Sequence, residues 1–458
     1  MPATHTKRGN SLASILAIDI GSTKISTLVA EVHDDKIQLT GAGIAKAQGL
    51  KKGSIVNIDL ASKSIKASLN DAKRVAGVDL KRAVVSLSGA YVKSLNSYGI
   101  VNIPSKEISV KEVNRAMQTA LYNANIPVDY ELLHALPYNF KVDEQDMIQD
   151  PVGMSGSRLE VSVHLIIAQK SSLDNLKKTI HLAGAEIENI VLSGYASGIA
   201  VLGEDEKDLG VCVIDIGGAT SNMVVHLGNA LRYNDFLGVG GSHVTGDLSM
   251  ALHTPLGVAE KVKVEYGSLN HSGDNVIELP VIGNEESTQQ VSLEVVSNVI
   301  YARIEETLMI LAKQLEKSGF KNQLGAGVVL TGGLTKVEGL REVAAPIFDN
   351  MPVRIAKPKE IEGLFDSLRD PEFSTALGLL RYGAGEYTLY EIDSNKNLRS
   401  RYENVSHPET PVQAMGESGG WGDPAKDEDI TDLLAREQNK SGAQDGAKKL
   451  WRWLTQLF

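Results

Sequence analysis

Apolar and polar positions along the chain recur in one phrase that is written twice. Near the N-terminus ILAID, IGSTK and ISTLVAEV read as strand, glycine-containing turn and strand, with β-branched residues filling the runs. A third strand follows over residues 36–43. In the second half the phrase returns as VCVID, IGGAT and SNMVVHL, followed by ALRYNDFLGVG. Asp19 and Asp215 thereby stand in matching contexts, which predicts an internal structural repeat. Between the two phrases, Ile65, Leu69, Ala72, Val75 and Ala76 fall at helical spacing within residues 62–76, so the first lobe alternates strand and helix.

The pattern changes over residues 99–172. Short strands surround a helix predicted for 110–124, and the segment ends in the strand EVSVHLIIA and a helix over 173–183. This reads as a small inserted α+β subdomain. A strand at 188–192 and a helix at 194–202 lead into the second repeat. One helical segment over 244–266, short strands and a long helix over 291–317 fill the outer part of the second lobe, and GVVLTGG closes a strand on a glycine pair.

A chain of 458 residues predicts about three domains or one large two-lobed body. Its formal net charge of −11 argues against general nucleic-acid binding, which draws on excess cationic charge. The single cysteine, Cys212, excludes a disulfide framework and any cysteine-based zinc site. Residues 1–14 lack the apolar region of a signal peptide, and no run reaches the eighteen or so apolar residues of a membrane span, so a cytoplasmic chain is expected.

After Asp393 the composition turns to Ser, Gly, Pro, Asn and Gln with an acidic excess, which predicts a disordered linker over 394–446 carrying a short acidic helix at 427–438. The last twelve residues, AKKLWRWLTQLF, change character again. Leu450, Trp453, Leu454, Leu457 and Phe458 share one helical face, while Lys448, Lys449 and Arg452 lie largely on the other and Trp451 adds a second indole. Basic residues and tryptophans on an amphipathic terminus beyond a tether predict an interfacial helix on anionic lipid. The competing reading is a terminal helix packed on the protein's own body.

Candidate chemistry centres on the two turns. Glycine lets backbone amides approach phosphate oxygens, hydroxyls add donors, and a carboxylate at a strand end can hold Mg²⁺ through water. Gly21, Ser22, Thr23 and Lys24 supply this in one copy and Gly217, Gly218, Ala219 and Thr220 in the other, with Asp19 and Asp215 as metal-organising carboxylates. One such motif is as easily an ordinary tight turn; two in matching strands point to a polyphosphate held from both sides. Neither a Walker A sequence nor a strand-linked GxGxxG occurs. Gly332 and Gly333, after Thr331, give a bare backbone against which a nucleoside can lie. His134, His164 and His243 match no metal spacing.

Two phosphate turns, a helical connection and a TGG loop, in this order, resemble the actin-like ATPase superfamily across residues 12–392. Within it, DIGSTK, PVGMSGSRLEVSVHLI, EDEKDLGVCVIDIGGATSN, AEKVK, GVVLTGGLTKVEG and the basic amphipathic terminus resemble the FtsA family of bacterial cell-division proteins. The resemblance implies a two-lobed actin-like (RNase H-like) α/β fold. Its first lobe would comprise 12–98, 182–209 and 371–393 after a tail of 1–11, with the insertion at 99–181. The second lobe would comprise 210–242 and 321–370, its outer subdomain 243–320, and the linker and membrane-targeting helix 394–446 and 447–458. It also implies ATP with Mg²⁺, ribose and adenine contacts from Glu260 and Lys263, self-association into filaments, and peripheral attachment to the cytoplasmic membrane at the division site. Arg303 and Glu306 would receive the C-terminal tail of the tubulin-like FtsZ, although a charged i,i+3 surface pair explains them equally. Later division proteins are expected as further partners, and any hydrolysis is expected to be slow. Glu204 and Asp205 are candidates for a base only by their place before the second turn. Ala219 departs from relatives that carry a third glycine there. A pilus-assembly ATPase similar to FtsA and a sugar or acetate kinase of the same superfold are the alternative readings.

Overall fold

The computed structural model describes residues 13–33, 36–270 and 275–401. The N-terminal tail, the linker beyond 401, its predicted short helix and the terminal amphipathic helix lie outside the described residues.

Two five-stranded sheets share one topology. In the first lobe Glu186–Leu192, Arg82–Leu87, Ala13–Ile20, Lys24–His33 and Lys36–Lys46 lie side by side in that order. In the second, Val353–Ile355, Gly327–Thr331, Val211–Ile216, Ser221–Leu227 and Ala230–Leu237 repeat it. In both, a three-strand antiparallel meander is extended by parallel strands. The central strands are buried through Ile15 to Ile18 and Val211 to Ile214, because both faces are covered there, which is why they read as continuous apolar runs. The register repeats too: Asp19 pairs with Ser26 and Asp215 with Asn222.

The helices Ser193–Val201 and Ser374–Gly383 pack together beneath both sheets. Every residue of the first is buried. A Cβ on Gly378 would stand 1.9 Å from the Ala196 carbonyl oxygen, so this crossing requires glycine. The helix Ile58–Ala76 is capped by Asn57, whose side chain accepts from the Leu60 N–H, and ends at Gly77 in the left-handed region.

The insertion has its own core around Val113, Met117, Leu159 and Val163. Its boundaries differ from those expected. The first strand runs unbroken from Val92 to Asn102, so the insertion opens before residue 99. The helix Lys170–Ala183 instead sends Leu173, Leu176 and Ile180 into the first-lobe core. At the other edge the hairpin of Tyr390–Ile392 and Leu398–Ser400 adds to the insertion's sheet. Residues 394–401 are therefore part of the fold rather than of a linker. Their polar side chains have partners: Ser394 Oγ accepts from the Ile190 N–H at 3.0 Å, and Asn395 Nδ2 donates to the Glu188 carbonyl at 2.7 Å.

The single helix expected over 244–266 is two, Gly241–Ala251 and Leu256–Tyr266. Pro255, which has no N–H to donate and restricts Thr254 before it, begins the second. The long helix Leu293–Lys317 covers both.

Candidate functional site in the interlobe cleft

Because the repeat brings equivalent strand ends together, the two glycine turns meet. Strand Ala13–Ile20 stops and Lys24–His33 begins, leaving Gly21, Ser22 and Thr23 as the first turn. In the second, Gly217 N–H donates to the Thr220 carbonyl at 2.8 Å, closing Gly217, Gly218, Ala219 and Thr220 into a tight loop. Gly218 stands against Thr23: a Cβ on it would lie 2.2 Å from Thr23 Cγ2.

Both candidate carboxylates are buried at this meeting point, Asp19 at 8% and Asp215 at 7% exposure. Burial pushes the Asp19 carboxyl up to about 6; the Ser86 hydroxyl opposes this, the Asp215 charge adds to it, and Lys24 opposes it more weakly. Asp215 is raised for the same first reason, against hydroxyl bonds from Ser197 and Thr375. Ser86 Oγ donates to Asp19 Oδ1 at 2.9 Å and accepts from the Ile20 N–H at 2.8 Å. Ser197 Oγ and Thr375 Oγ1 donate to Asp215 Oδ2 at 2.5 and 3.0 Å. Those two hydroxyls come from the paired central helices, so the second-lobe carboxylate is held by the first lobe's packing. Sequence reading missed all three hydroxyls. Ser86 was findable: it lies next to last in its strand, beside Asp19, much as Thr331 ends its strand beside Asp215.

Gly332 has φ of 92°, and a Cβ there would lie 2.3 Å from Asp215 Oδ1, so the TGG loop lies directly on the carboxylate. Gly333 opens the short turn Gly333–Lys336. The loop Gly238 to Gly241 closes the other side, Gly240 lying against the Gly217 carbonyl and Gly241 N–H donating to it at 3.0 Å. Lys263 reaches this corner. Its Nζ donates to Glu260 Oε2 at 2.7 Å, Thr245 Oγ1 at 2.9 Å and the Gly241 carbonyl at 3.2 Å, and Thr245 also bonds Glu260. The AEKVK pair is thus a supported polar corner of the cleft, and Thr245 is its unpredicted third member.

Lys24 is directed elsewhere. Its Nζ donates to Glu372 Oε2 at 2.7 Å and sits 3.4 Å above the Phe373 ring. Lys336 bonds Glu372 Oε1 at 3.2 Å and Asp370 Oδ2 at 2.7 Å, so Glu372 bridges the two lobes. Burial lowers the Lys24 ammonium, and the Glu372 contact opposes that.

Glu204 and Asp205 begin the short helix Glu204–Leu209, at the opposite end of strand Val211–Ile216 from Asp215. Six strand residues separate the two ends, about 17 Å, and Glu204 bonds Lys207 at 2.9 Å. The structure does not bring this pair to the cleft. Arg303 clamps Asp247 with Nε at 2.5 Å and Nη2 at 3.1 Å and bonds Glu306 at 2.5 Å, so the expected pair is a cluster of three on the outer subdomain. The histidines are structural. His134, fully buried, bonds Glu391 at 2.6 Å; His164 lies between Asn96 and Asn234 at 3.0 Å each; His243 Nδ1 accepts from the Gly240 N–H. Among the described residues no helix is long and apolar enough to cross a membrane.

Comparison with known proteins now decides the family. A family model described as the SHS2 domain inserted in FTSA matches residues 89–167, and one described as cell division protein FtsA matches 212–378. The chain is 42% identical over 371 residues to the cell division protein FtsA of Neisseria meningitidis, covering 80% of this chain and 89% of that one. It is 37% identical over 434 residues to that of Helicobacter pylori, covering 87% and 88%. The chain belongs to the FtsA family of cell-division proteins. FtsA of Escherichia coli K12 is 32% identical over 394 residues, covering 84% and 93%. A solved chain of a PilM-PilN type IV pilus biogenesis complex superposes with a TM-score of 0.58 at 19% identity, covering 81% and 98%, and shares the fold. The inserted-domain match coincides with the separate core described above, and the FtsA match spans the second turn and the TGG loop.

Proposed function

We propose that this FtsA-family chain binds Mg·ATP between its lobes, polymerises, and tethers FtsZ filaments to the cytoplasmic membrane. One observation carries the reading: two register-equivalent buried carboxylates, one from each lobe, flank two glycine turns that meet. Hard carboxylate oxygens are the donor class Mg²⁺ takes. Burial without full compensation, visible in the raised Asp19 and Asp215, is relieved by a cation. Asp19 and Asp215 would hold the metal, Gly21, Ser22 and Thr23 with Gly217, Gly218, Ala219 and Thr220 the phosphates, and Glu260, Lys263, Gly332 and Gly333 the nucleoside. Bound Mg²⁺ would neutralise phosphate charge; the chain's own contribution is to fix the carboxylates through Ser86, Ser197 and Thr375 and to keep the lobes in register.

A nucleotide spanning both turns favours the lobe arrangement that assembles, and assembly multiplies weak single-copy contacts with lipid and with the FtsZ tail. The insertion is then available to later division proteins. Equilibrium binding of ATP with and without Mg²⁺, on the parent and Asp215→Asn, tests the reading. Metal-dependent affinity lost in the variant supports it; equal binding by both overturns the cleft assignment.

A further inference from the structure

The cleft holds more positive charge than it has free. Lys24 is tied to Glu372, Lys336 to Asp370 and Glu372, and Lys263 to Glu260. A nucleoside triphosphate brings strong negative charge to the turns, and those lysines already answer to carboxylates. Lys52 does not. Among the described residues its ammonium has no hydrogen-bond or ion-pair partner, and the side chain is exposed.

Its position is built. Leu50–Lys51 and Ser54–Ile55 form a hairpin with Lys51 opposite Ser54, so Lys52 and Gly53 are its two-residue loop. Both have positive φ, 49° and 79°, the signature of a type I′ turn. Asn, Asp and Gly are the usual occupants of such positions, and a lysine there is uncommon. The surroundings hold it so. The Tyr91 hydroxyl lies 3.2 Å from the Gly53 carbonyl, a Cβ on Gly53 would meet the Ser88 carbonyl at 2.4 Å, and the Gly49 carbonyl accepts from the Val56 and Asn57 N–H groups.

From this tip the lysine crosses to the other lobe. Its Cδ lies 3.3 Å from where a Gly238 Cβ would stand. Gly238 opens the loop whose Gly240 and Gly241 pack on Gly217 and Gly218. Ser88, against which the hairpin rests, is two residues beyond Ser86, the partner of Asp19. The hairpin therefore joins the first-lobe strand end that carries Ser86 to the second-lobe loop, with Lys52 over Gly238 at one end of that loop and Lys263 on Gly241 at the other.

We propose that Lys52 is a specificity-determining residue that reads the terminal phosphate: its ammonium, carried on a rigid first-lobe hairpin over the second-lobe loop, favours a nucleoside triphosphate over the diphosphate and ties the two lobes when the triphosphate is present. The inference rests on the nucleotide reading above. A hydrogen bond from an ammonium to a phosphate oxygen is charge-assisted, and losing one costs about tenfold or more in affinity.

The test is titration calorimetry of the full chain with Mg·ADP and with a non-hydrolysable Mg·ATP analogue. Lys52→Asn removes the charge while placing at the turn a residue that adopts the left-handed region more easily; Lys52→Arg keeps the charge; Lys51→Ala is the neighbouring control. The expected result is that Lys52→Asn loses about tenfold for the triphosphate analogue and changes little for ADP, that Lys52→Arg restores most of the preference, and that Lys51→Ala matches the parent. Equal loss for both nucleotides, or no loss for either, overturns the assignment. Failure of the parent to bind either nucleotide overturns the cleft reading itself, a different result from a parent that discriminates and a variant that still does.

Discussion

Gly218 and Thr23 meet across the cleft with no room for a Cβ between them. The two glycine turns are thus one surface contributed by two lobes, and their separation is set by this contact. Gly218→Ala is expected to wedge the turns apart and lower Mg·ATP affinity tenfold or more. Thr23→Ser deletes the Cγ2 that a Cβ would strike, so the double variant is expected to recover part of the loss. Gly217 is a milder site, since a Cβ there would stand 3.2 Å from the Thr220 carbonyl. A calorimetric double-mutant cycle measures the coupling, and strict additivity of the two changes would refute the contact's role.

Asp19 makes the nucleotide-free fold pH-sensitive in a definite direction. Its carboxyl, near 3.8 in the unfolded chain, is raised to about 6 chiefly by burial. The folded state therefore binds this proton more tightly, so the contribution to stability is full below about pH 4 and is lost as pH rises through about 6. Above that, keeping the ionised carboxylate buried costs up to about 3 kcal/mol. Asp19→Asn is expected to be more stable than the parent at pH 7.5 without nucleotide, with the difference fading towards pH 4, and to bind ATP without benefit from Mg²⁺. Urea unfolding at four pH values measures it. A difference that does not depend on pH would show that the asparagine acts by shape rather than charge.

The repeat was legible because a doubly covered central strand reads as an unbroken apolar run and each copy ends in Asp-Ile-Gly. What the pattern could not show was which core a helix serves: the apolar face of Lys170–Ala183 looks the same whether it packs on the insertion or on the first lobe. Ser394 and Asn395 read as linker because polar composition is the mark of disorder, whereas here those side chains satisfy the backbone of Glu188 and Ile190. Ser197 and Thr375 were invisible for the opposite reason. Each is a hydroxyl inside a buried apolar helix, and only the crossing of the two helices aims both at Asp215. Glu372, which draws Lys24 away from the turn, belongs to a segment far along the chain that no local pattern connects to it.

Arg303 offers a discriminating test of the proposed FtsZ contact. Its bidentate clamp on Asp247 and its bond to Glu306 are partly exposed, and such clusters add only about 0.2–1 kcal/mol to stability. Arg303→Ala is therefore expected to shift the unfolding midpoint slightly while weakening binding of an FtsZ tail peptide several-fold by fluorescence anisotropy. Asp247→Asn releases part of the clamp without removing the guanidinium, and is expected to bind the peptide at least as well as the parent. Unchanged peptide affinity in Arg303→Ala would move the contact elsewhere on the outer subdomain.

The proposed membrane attachment falls to the terminal residues, which lie outside the described structure. Leu450, Trp453, Leu454, Leu457 and Phe458 each contribute about 1.5–3 kcal/mol gross on burial. Ordering the peptide and losing its freedom in solution would take back much of this, so one copy of the predicted helix is expected to hold weakly. Lys448, Lys449 and Arg452 add attraction to anionic lipid that salt screens. On this proposal firm attachment would depend on many copies presented together by a filament, whose avidity multiplies the single-copy affinity. Co-sedimentation with anionic liposomes is accordingly expected to need residues 446–458, to strengthen with Mg·ATP, and to weaken with salt. Trp453→Glu places a charge in the middle of the apolar face and is expected to abolish pelleting with or without nucleotide. Pelleting that is unchanged in a chain ending at Asp445 would assign the terminal helix to the protein body, and nucleotide-independent pelleting of the full chain would separate anchoring from assembly.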